Sequence, residues 1–482
     1  MSELCDLRAV ELRRLIGRKA ISPVELLASC LRRIEAVNPA LNAITATCFE
    51  RAQTEARTAE QAVMRGDDLG PLHGLPIGIK DLNETAGLKT TWGSPIYRDY
   101  VPEKDERMVA AVRKAGAIVV GKTNVPEFGA GANTNNPVWG PTGNPFDPAR
   151  ICGGSSGGSA VALATSMLPI CTGSDTGGSL RIPAAFCGVT GFRPSPGLIA
   201  SERRPLGWTP LSVQGPMGRD VADTLLLLQA QVSDDSRDPL AAHVDPAEYA
   251  AIAPVDLSTI RVAVSEDLGG LPLDPGIRAT FRERIAIIKS AFKSCVERDP
   301  DMADADEAFT IMRALNFLAA HRERYEKHRD KLGPNIIANY EQGLAMSAAD
   351  AARGHVLQTR LYRSFQRFFD DFDILICPTV PVPPFPVEQR YCAEIDGRKL
   401  PTYFSWLAPT YYLTVTTHPA ISLPCGIEPT GTPFALQICG PARRDKYLLD
   451  VAHAVEALLQ RDPRTARPVP DIEALRTWRK GR

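Results

Sequence analysis

Several features that mark specialised protein classes are scarce or missing from this sequence. It has seven histidines and eleven cysteines in 482 residues, with no CxxC pair and no His cluster at zinc-finger spacing. No segment approaches about 18 uninterrupted apolar residues. The 55 basic and 56 acidic side chains give a net charge of −1. These absences argue against a metal site, a membrane span and binding to nucleic acid or an anionic membrane.

What is present is typical of a soluble globular protein, with 44% hydrophobic and 23% charged residues. The N-terminal stretch carries charges throughout and has no apolar core of a secretory signal. Most cysteines lie in apolar runs, which predicts buried free thiols in a reducing compartment. We therefore expect a cytoplasmic location.

From about residue 75 to 265, short apolar runs alternate with helical stretches, which indicates an α/β fold with helices on both faces of a sheet. We expect a single domain over 1–482, with a mostly helical insertion at 275–370. Strands are predicted at 76–79, 117–120, 168–171, 260–264, 373–377, 421–423 and 434–438. Helices are predicted at 48–66, 105–115, 157–167, 220–232 and 445–460.

One helix start is well marked. Ser22 fits an N-cap, Pro23 the first helical position and Glu25 the third residue after the cap. Apolar residues then recur at helical spacing, so a helix is predicted from this point.

Two Gly/Ser-rich segments stand out, CGGSSGGS at 152–159 and TGSDTGGSLR at 172–181. Each is followed by a small, apolar, helix-compatible stretch, whereas a flexible linker is normally flanked by polar sequence. Glycines that open a helix permit close backbone approach and leave N–H groups available to a ligand. The two segments therefore predict one polar site.

Two familiar motifs match the sequence without their expected context. The segment 116–123, GAIVVGKT, fits the phosphate-binding loop, but its variable residues form a predicted strand where the motif needs a loop. The segment 153–157, GGSSG, fits a hydrolase nucleophile elbow, which needs a downstream histidine. His355 and His453 lie in helical patterns, which leaves His418. A lone histidine of this kind is more often structural.

A third interpretation uses a lysine as the base. Lys80 ends an apolar strand, where burial would favour its neutral form, although an ordinary lysine at this position would more often pair with Asp81 and stay charged. A serine hydroxyl needs a group to take its proton, and a relay from Ser179 through Ser155 to Lys80 would supply one. The N–H groups of Thr176, Gly177, Gly178 and Ser179 would then form an oxyanion hole.

Four blocks together resemble the amidase signature family. They are GLPIGIKD at 74–81, GKTNVPEF at 121–128, GGSSGGS at 153–159 and GSDTGGSLRIPA at 173–184. The similarity continues through CGVTGFRP at 187–194 and GPMGRDVA at 215–222, and returns weakly in LQICGP at 436–441. It is closest over 70–225, which would be the catalytic core.

The resemblance implies a central mixed sheet and a Ser-cisSer-Lys triad. Ser179 would be the nucleophile, Ser155 the bridging serine after a cis peptide bond, and Lys80 the base. Ser156 either supports the relay or caps a helix, and Asp175 and Arg181 are expected to form an ion pair that shapes the second segment. No metal or organic cofactor is expected.

The implied activity is hydrolysis of a small-molecule amide through an acyl-enzyme. With no surplus of charge near the catalytic blocks in sequence, we expect an uncharged aliphatic or aryl amide, extending to carbamates or esters. Candidate pocket residues, each equally compatible with a core position, are Trp92, Phe128, Asn133, Trp139 and Trp208.

The family includes an amidotransferase component that delivers ammonia to a partner. The segment 206–215 differs from what that component leads us to expect, which favours a free-standing hydrolase. A noncatalytic binding protein on the same fold is the other alternative. A homodimer is left open.

Overall fold

The computed structural model describes residues 3–478. The strands are β1 Ile44–Thr47, β2 Pro76–Lys80, β3 Ile118–Thr123, β4 Ile170–Asp175, β5 Thr190–Arg193, β6 Val213–Gly218, β7 Arg261–Val264, β8 Ser294–Glu297, β9 Ile374–Pro378, β10 Glu394–Ile395, β11 Arg398–Lys399, β12 Ala420–Ile427 and β13 Pro433–Cys439. The helices are α1 Ala9–Gly17, α2 Pro23–Leu41, α3 Phe49–Arg65, α4 Arg107–Lys114, α5 Gly157–Ala164, α6 Arg181–Cys187, α7 Val221–Gln231, α8 Pro275–Ile288, α9 Ala305–His328, α10 Pro334–Leu344, α11 Ala348–Asp371, α12 Ala408–Val415, α13 Asp445–Leu459 and α14 Ile472–Thr477.

Within this part of the chain, 11 strands form one sheet in the order β1-β3-β2-β4-β6-β5-β12-β13-β9-β7-β8. Strands β3, β2 and β4 run parallel near one end, and β9, β7 and β8 run parallel at the other. The pairs between them are antiparallel. The predicted α/β class and mixed sheet are confirmed.

Helices cover both faces of the sheet, and the strand sequences show why. In β9, Ile374 and Ile376 join one hydrophobic cluster, while Leu375 and Cys377 join the cluster on the other face. Side chains alternate along a strand, so a strand that is apolar at successive positions must be buried on both sides. This is the pattern that predicted the fold.

The predicted capping box at the start of α2 is confirmed. The hydroxyl of Ser22 accepts a hydrogen bond from the Val24 N–H, and the Ser22 and Glu25 side chains cap each other's backbone N–H groups. Pro23 is the first residue of the helix, where its missing N–H costs nothing.

Four strands of the main sheet were not predicted from sequence, namely β1, β5, β6 and β8. Strand β6, VQGPMG, contains two glycines and a proline, residues that are depleted in strands. Strand β8 lies inside 275–370, the region expected to be mostly helical. Pairing with neighbouring strands overrides weak local preference at these positions.

The eleven cysteines are all free in the structure, and nine of them are buried. Among residues 3–478, no helix has the length and apolar character needed to cross a bilayer.

Candidate active site

The first Gly/Ser-rich segment is buried along its whole length and opens α5. Gly158 shows why glycine is needed there, since a Cβ at this position would lie 2.2 Å from the backbone nitrogen of Asn124. The segment is therefore a tightly packed turn and not a linker.

Lys80 is the last residue of β2 and is fully buried. Its Nζ donates hydrogen bonds to the Oγ atoms of Ser155 (2.9 Å), Ser156 (2.7 Å) and Ser174 (2.9 Å), and lies 3.2 Å from the Ser174 carbonyl oxygen. It does not pair with Asp81, which instead lies 3.9 Å from the second buried lysine, Lys122. The lysine is thus surrounded by neutral acceptors.

Burial lowers the pKa of Lys80 to about 7, although the nearby carboxylate of Asp175 acts in the opposite direction. Desolvation disfavours the charged ammonium, and the carboxylate only partly compensates. An amine with a pKa near neutrality is available as a proton acceptor at neutral pH.

The two serines of the expected relay lie one on each Gly/Ser segment, Ser155 on the first and Ser179 on the second. The Gly154–Ser155 peptide bond is cis, as the family resemblance implies. The Ser156 N–H donates to the Ser179 carbonyl at 3.2 Å, which ties the two segments together. Ser156 makes no capping bond to α5, so its side chain belongs to the lysine cluster.

The second segment is shaped by a buried ion cluster centred on Asp175. Arg181 donates two hydrogen bonds of 3.0 Å to its carboxylate, and Arg193 lies 3.3 Å from Oδ1. Burial alone would raise the pKa of Asp175, but the two guanidinium groups hold it well below its usual range. All three side chains are fully buried. Arg181 also reaches the C-terminal part of the chain, at Thr410 and Gln437.

The Asp175 carboxylate also accepts from the Gly178 N–H at 2.8 Å. Gly178 therefore does not offer a free donor, which corrects its expected place in the oxyanion hole. Its φ of 116° is a backbone conformation for which glycine is suited. Within residues 3–478, no acceptor engages the N–H groups of Thr176, Gly177 and Ser179.

Ser155, Ser174, Thr176 and Ser179 open onto one cavity of about 380 Å³, a volume within the usual range for small-molecule sites, about 300–1,000 Å³. Its other lining residues are Leu82, Trp92, Glu106, Phe128, Gly129, Ser201, Arg203, Arg204, Pro205, Ser212, Val213, Gln214, Asn316, Phe317, Ala320, His321 and Arg324. The cavity therefore joins the lysine and serine groups to an aromatic and partly charged wall.

Of the five candidate pocket residues, Trp92 and Phe128 line this cavity. Asn133 instead donates to the carbonyls of Val387 and Gln389, and Trp139 packs against the core and donates to Thr91. Trp208 is 79% exposed and lies on a different surface hollow. Proximity in sequence to the catalytic blocks did not translate into proximity in space for these three.

The competing motifs find structural explanations. In the phosphate-loop match, residues Ile118–Thr123 form β3, and Lys122 is buried with Asn83, Thr85 and Asp81 around its amine. His418 is buried against aromatic rings of α11 and lies outside the cavity.

Sequence reasoning missed several residues of the site. Ser174 directly precedes Asp175, and its position at the end of β4 beside β2 could have indicated its contact with Lys80. Arg193 lies in the segment CGVTGFRP at 187–194, but the sequence did not indicate that it would pair with Asp175. The cavity wall formed by α9 had no sequence signal, because Asn316 to Arg324 follow Ser179 by more than a hundred residues.

The fold is a mixed α/β sheet covered by helices, and its site brings a buried lysine amine together with serines of two Gly/Ser-rich segments. Comparison with known proteins identifies the family to which this fold and site belong. A family model described as Amidase matches residues 25–449. The chain belongs to the amidase signature family.

Two relatives show the range of roles in the family. An acylamidase of Rhodococcus erythropolis is 31% identical over 455 residues, covering 94% of this chain and 95% of that protein. A glutamyl-tRNA(Gln) amidotransferase subunit from Moorella thermoacetica is 33% identical over 478 residues, covering 94% of this chain and 97% of that protein.

Among solved structures, a bacterial aryl acylamidase of the amidase signature family superposes with a TM-score of 0.88 at 26% identity, covering 95% of this chain and 96% of that one. A 6-aminohexanoate cyclic dimer hydrolase superposes with a TM-score of 0.86 at 26% identity, covering 98% of this chain and all of that one. The amidase signature fold is thereby confirmed.

Proposed function

We propose that this protein is an amidase that hydrolyses the C–N bond of a small aliphatic or aryl amide through an acyl-enzyme. The observation that carries the proposal is the fully buried Lys80 amine, which contacts Ser155 at 2.9 Å beside a cavity that Ser179 also lines. The likeness to an acylamidase and to an aryl acylamidase supports this substrate class.

In the proposed reaction, the Ser179 hydroxyl attacks the amide carbonyl while its proton passes to Ser155, and the Ser155 proton passes to neutral Lys80. The negative charge on the carbonyl oxygen is stabilised by the N–H groups of Thr176, Gly177 and Ser179. Collapse of the tetrahedral intermediate releases the amine, which takes the proton back along the same path. Water then gives a proton to the same relay and attacks the acyl carbon, and collapse of this second intermediate releases the carboxylic acid while Ser179 takes the proton back.

The supporting groups are proposed to act by positioning. Ser156 and Ser174 hold the lysine amine with two further hydrogen bonds. Asp175 and Arg181 hold the turn that carries Ser179. Trp92 and Phe128 would contact the substrate through ring surface, since they line the cavity.

Turnover tests the proposal directly. The assay measures release of 4-nitroaniline from 4-nitroacetanilide and of ammonia from benzamide, with labelling of the protein by a fluorophosphonate. Ser179→Ala and Lys80→Ala are expected to abolish turnover, and Ser179→Ala to abolish labelling. The matched control is Ser258→Ala, an exposed serine outside the cavity. Turnover that survives Ser179→Ala would refute the mechanism, and a protein that is never labelled would favour a noncatalytic binding role.

A second candidate is an amidotransferase component that delivers ammonia to a partner. It is supported by the 33% identity to the Moorella protein, which is slightly above the 31% identity to the acylamidase. Release of ammonia from glutamine, with no turnover of 4-nitroacetanilide or benzamide, would favour this role.

A further inference from the structure

One wall of the cavity is built by one face of α9. Asn316, Phe317, Ala320, His321 and Arg324 all line the cavity, and their spacing of three to four residues places them on one side of a helix. The sequence expectation of an uncharged substrate assumed that no charge lies near the catalytic blocks. The wall from α9 overturns that premise, because it brings an arginine into the cavity.

The three arginines of the cavity differ in their partners. Arg203 forms an ion pair with Glu84, and Arg204 forms one with Asp238. Arg324 has no carboxylate within ion-pair distance anywhere in residues 3–478. A guanidinium is always charged at physiological pH, so Arg324 gives the cavity an uncompensated positive charge.

The Arg324 side chain is held in place by its surroundings. The guanidinium lies 4.9 Å from the Phe128 ring centroid and 5.5 Å from that of Tyr97. Its Nε donates to the Tyr97 hydroxyl at 3.1 Å, and Nη1 donates to the Ala320 carbonyl at 2.5 Å. Arginine has five N–H donors, so both donors of Nη2 and one of Nη1 have no acceptor in the described chain.

A second polar side chain, His321, lies on the same wall. His321 is 5% exposed, and its Nδ1 makes no hydrogen bond to the described residues. Burial, together with the charges of Arg324 and Arg313, lowers the pKa of His321 to about 3, so its ring is neutral. The ring packs against Phe128 and Phe317, so His321 is a neutral, aromatic part of the wall beside Arg324.

Glu106, the carboxyl group of the cavity, does not neutralise Arg324. Its oxygens accept from Asn83 at 2.8 Å, from the Glu84 N–H at 3.2 Å and from Gln214 at 3.3 Å. The Glu106 carboxyl group is therefore held by neutral donors and forms no ion pair with Arg324.

We propose that the amide substrate of this protein carries a carboxylate, which binds Arg324 through its free N–H donors. The substrate class is then an aryl or aliphatic amide with an anionic substituent. The proposal rests on the proposed amidase function only where it identifies the ligand as the amide substrate. The positive charge of Arg324 and its free N–H donors are features of the cavity whatever the reaction.

The test compares carboxylates with isosteric nitro compounds, which have the same shape without the charge. One pair is 4-acetamidobenzoate and 4-nitroacetanilide, with the group on the amine side. The other is 4-carbamoylbenzoate and 4-nitrobenzamide, with the group on the acyl side. Binding is measured by calorimetry in Ser179→Ala, so that turnover does not interfere.

In at least one pair, the carboxylate is expected to bind about 10- to 100-fold more tightly than its nitro counterpart, as for hydrogen bonds to charged groups. Adding Arg324→Gln should remove that preference and change binding of the nitro compound by less than about twofold. Arg324→Lys keeps the positive charge and should retain part of the preference for the carboxylate. It provides a second check if the glutamine variant folds poorly. Arg322→Gln is the matched control, since Arg322 is exposed on the same helix and pairs with Glu326.

Three outcomes would overturn the proposal. They are equal affinity for both members of each pair, no binding of any of the four compounds, and an equal loss for carboxylate and nitro compound in Arg324→Gln. The last would mean that Arg324 only supports the aromatic wall. Failure of the amidase function is recognised separately, by turnover that persists in Ser179→Ala or by absence of labelling at Ser179.

Discussion

The burial of Lys80 predicts how activity depends on pH. Its pKa is lowered from 10.5 to about 7, so about half of the molecules hold a neutral amine at pH 7. A lysine in water, with a pKa of about 10.4, would be neutral at pH 7 in only roughly one molecule in 2,500. Burial thus raises the fraction of molecules with a neutral Lys80 amine at pH 7 by about three orders of magnitude.

The assay is kcat/KM for 4-nitroacetanilide between pH 5 and 10, which reports the ionisations of the free enzyme. We expect a tenfold rise per pH unit below about pH 6, an inflection near 7 and a plateau above about 8. Glu106 complicates the assignment, because burial raises its pKa to about 7 as well. If Lys80 is the group that titrates, the inflection near pH 7 should persist in Glu106→Gln, even if the plateau value of kcat/KM changes.

The same shift predicts a change in stability with a definite sign. Between pH 7 and 10.5 the unfolded state binds more protons at this lysine than the folded state does, so the free energy of unfolding rises with pH across that window. Because one pKa unit corresponds to about 1.36 kcal/mol, the rise due to Lys80 is about 4–5 kcal/mol. It should be missing from Lys80→Met when both proteins are unfolded with urea.

Two results would refute this reasoning. One is a rate profile that is flat from pH 5 to 9, or whose inflection disappears in Glu106→Gln. The other is a parallel pH dependence of stability in the wild type and Lys80→Met, which would mean that the lysine has an ordinary pKa in the folded protein.

Further predictions concern other parts of the site. Ser155→Ala should lower kcat by about 10²- to 10⁴-fold with little change in KM, as for loss of a proton-transfer group; steady-state kinetics checks this, and a normal kcat would remove Ser155 from the relay. Asp175→Asn should destabilise the fold by about 3–5 kcal/mol, because it leaves two buried guanidinium groups without their counter-charge; urea unfolding measures it, and a loss below about 1 kcal/mol would contradict the buried cluster. Gly158→Ala should destabilise by about 1–3 kcal/mol or more through overpacking against Asn124, with a shift in thermal midpoint as the measurement. Trp208→Ala should leave kcat/KM unchanged within about twofold, since the side chain is exposed and far from the cavity; a larger loss would return it to the substrate pocket.

Much of the fold follows from sequence because the strongest patterns are local. Strand β9 is a continuous apolar run, β2 is one up to its final residue, Lys80, and the capping box at Ser22 is a purely local signal. Strand β6 was not predictable, because its glycines and proline oppose the strand state and only its pairing with β4 and β5 stabilises it.

The site divides in the same way. Lys80, Ser155 and Ser179 lie within a hundred residues of one another, at strand ends and helix starts that the sequence marks. Whether the Gly178 N–H is free or engaged was not predictable, since it depends on where the Asp175 carboxylate points. The aromatic candidates failed where closeness along the chain was the only criterion, as with Trp139.

The wall formed by α9 separates two properties that many enzymes combine in one stretch of chain. The groups proposed for bond cleavage all lie between residues 80 and 179, whereas the unpaired positive charge of the cavity lies on a single helix more than a hundred residues later. Substitutions on one face of that helix can therefore retune which molecules are accepted without touching the cleavage machinery. Such modularity makes α9 the natural target for redirecting this scaffold towards new substrates.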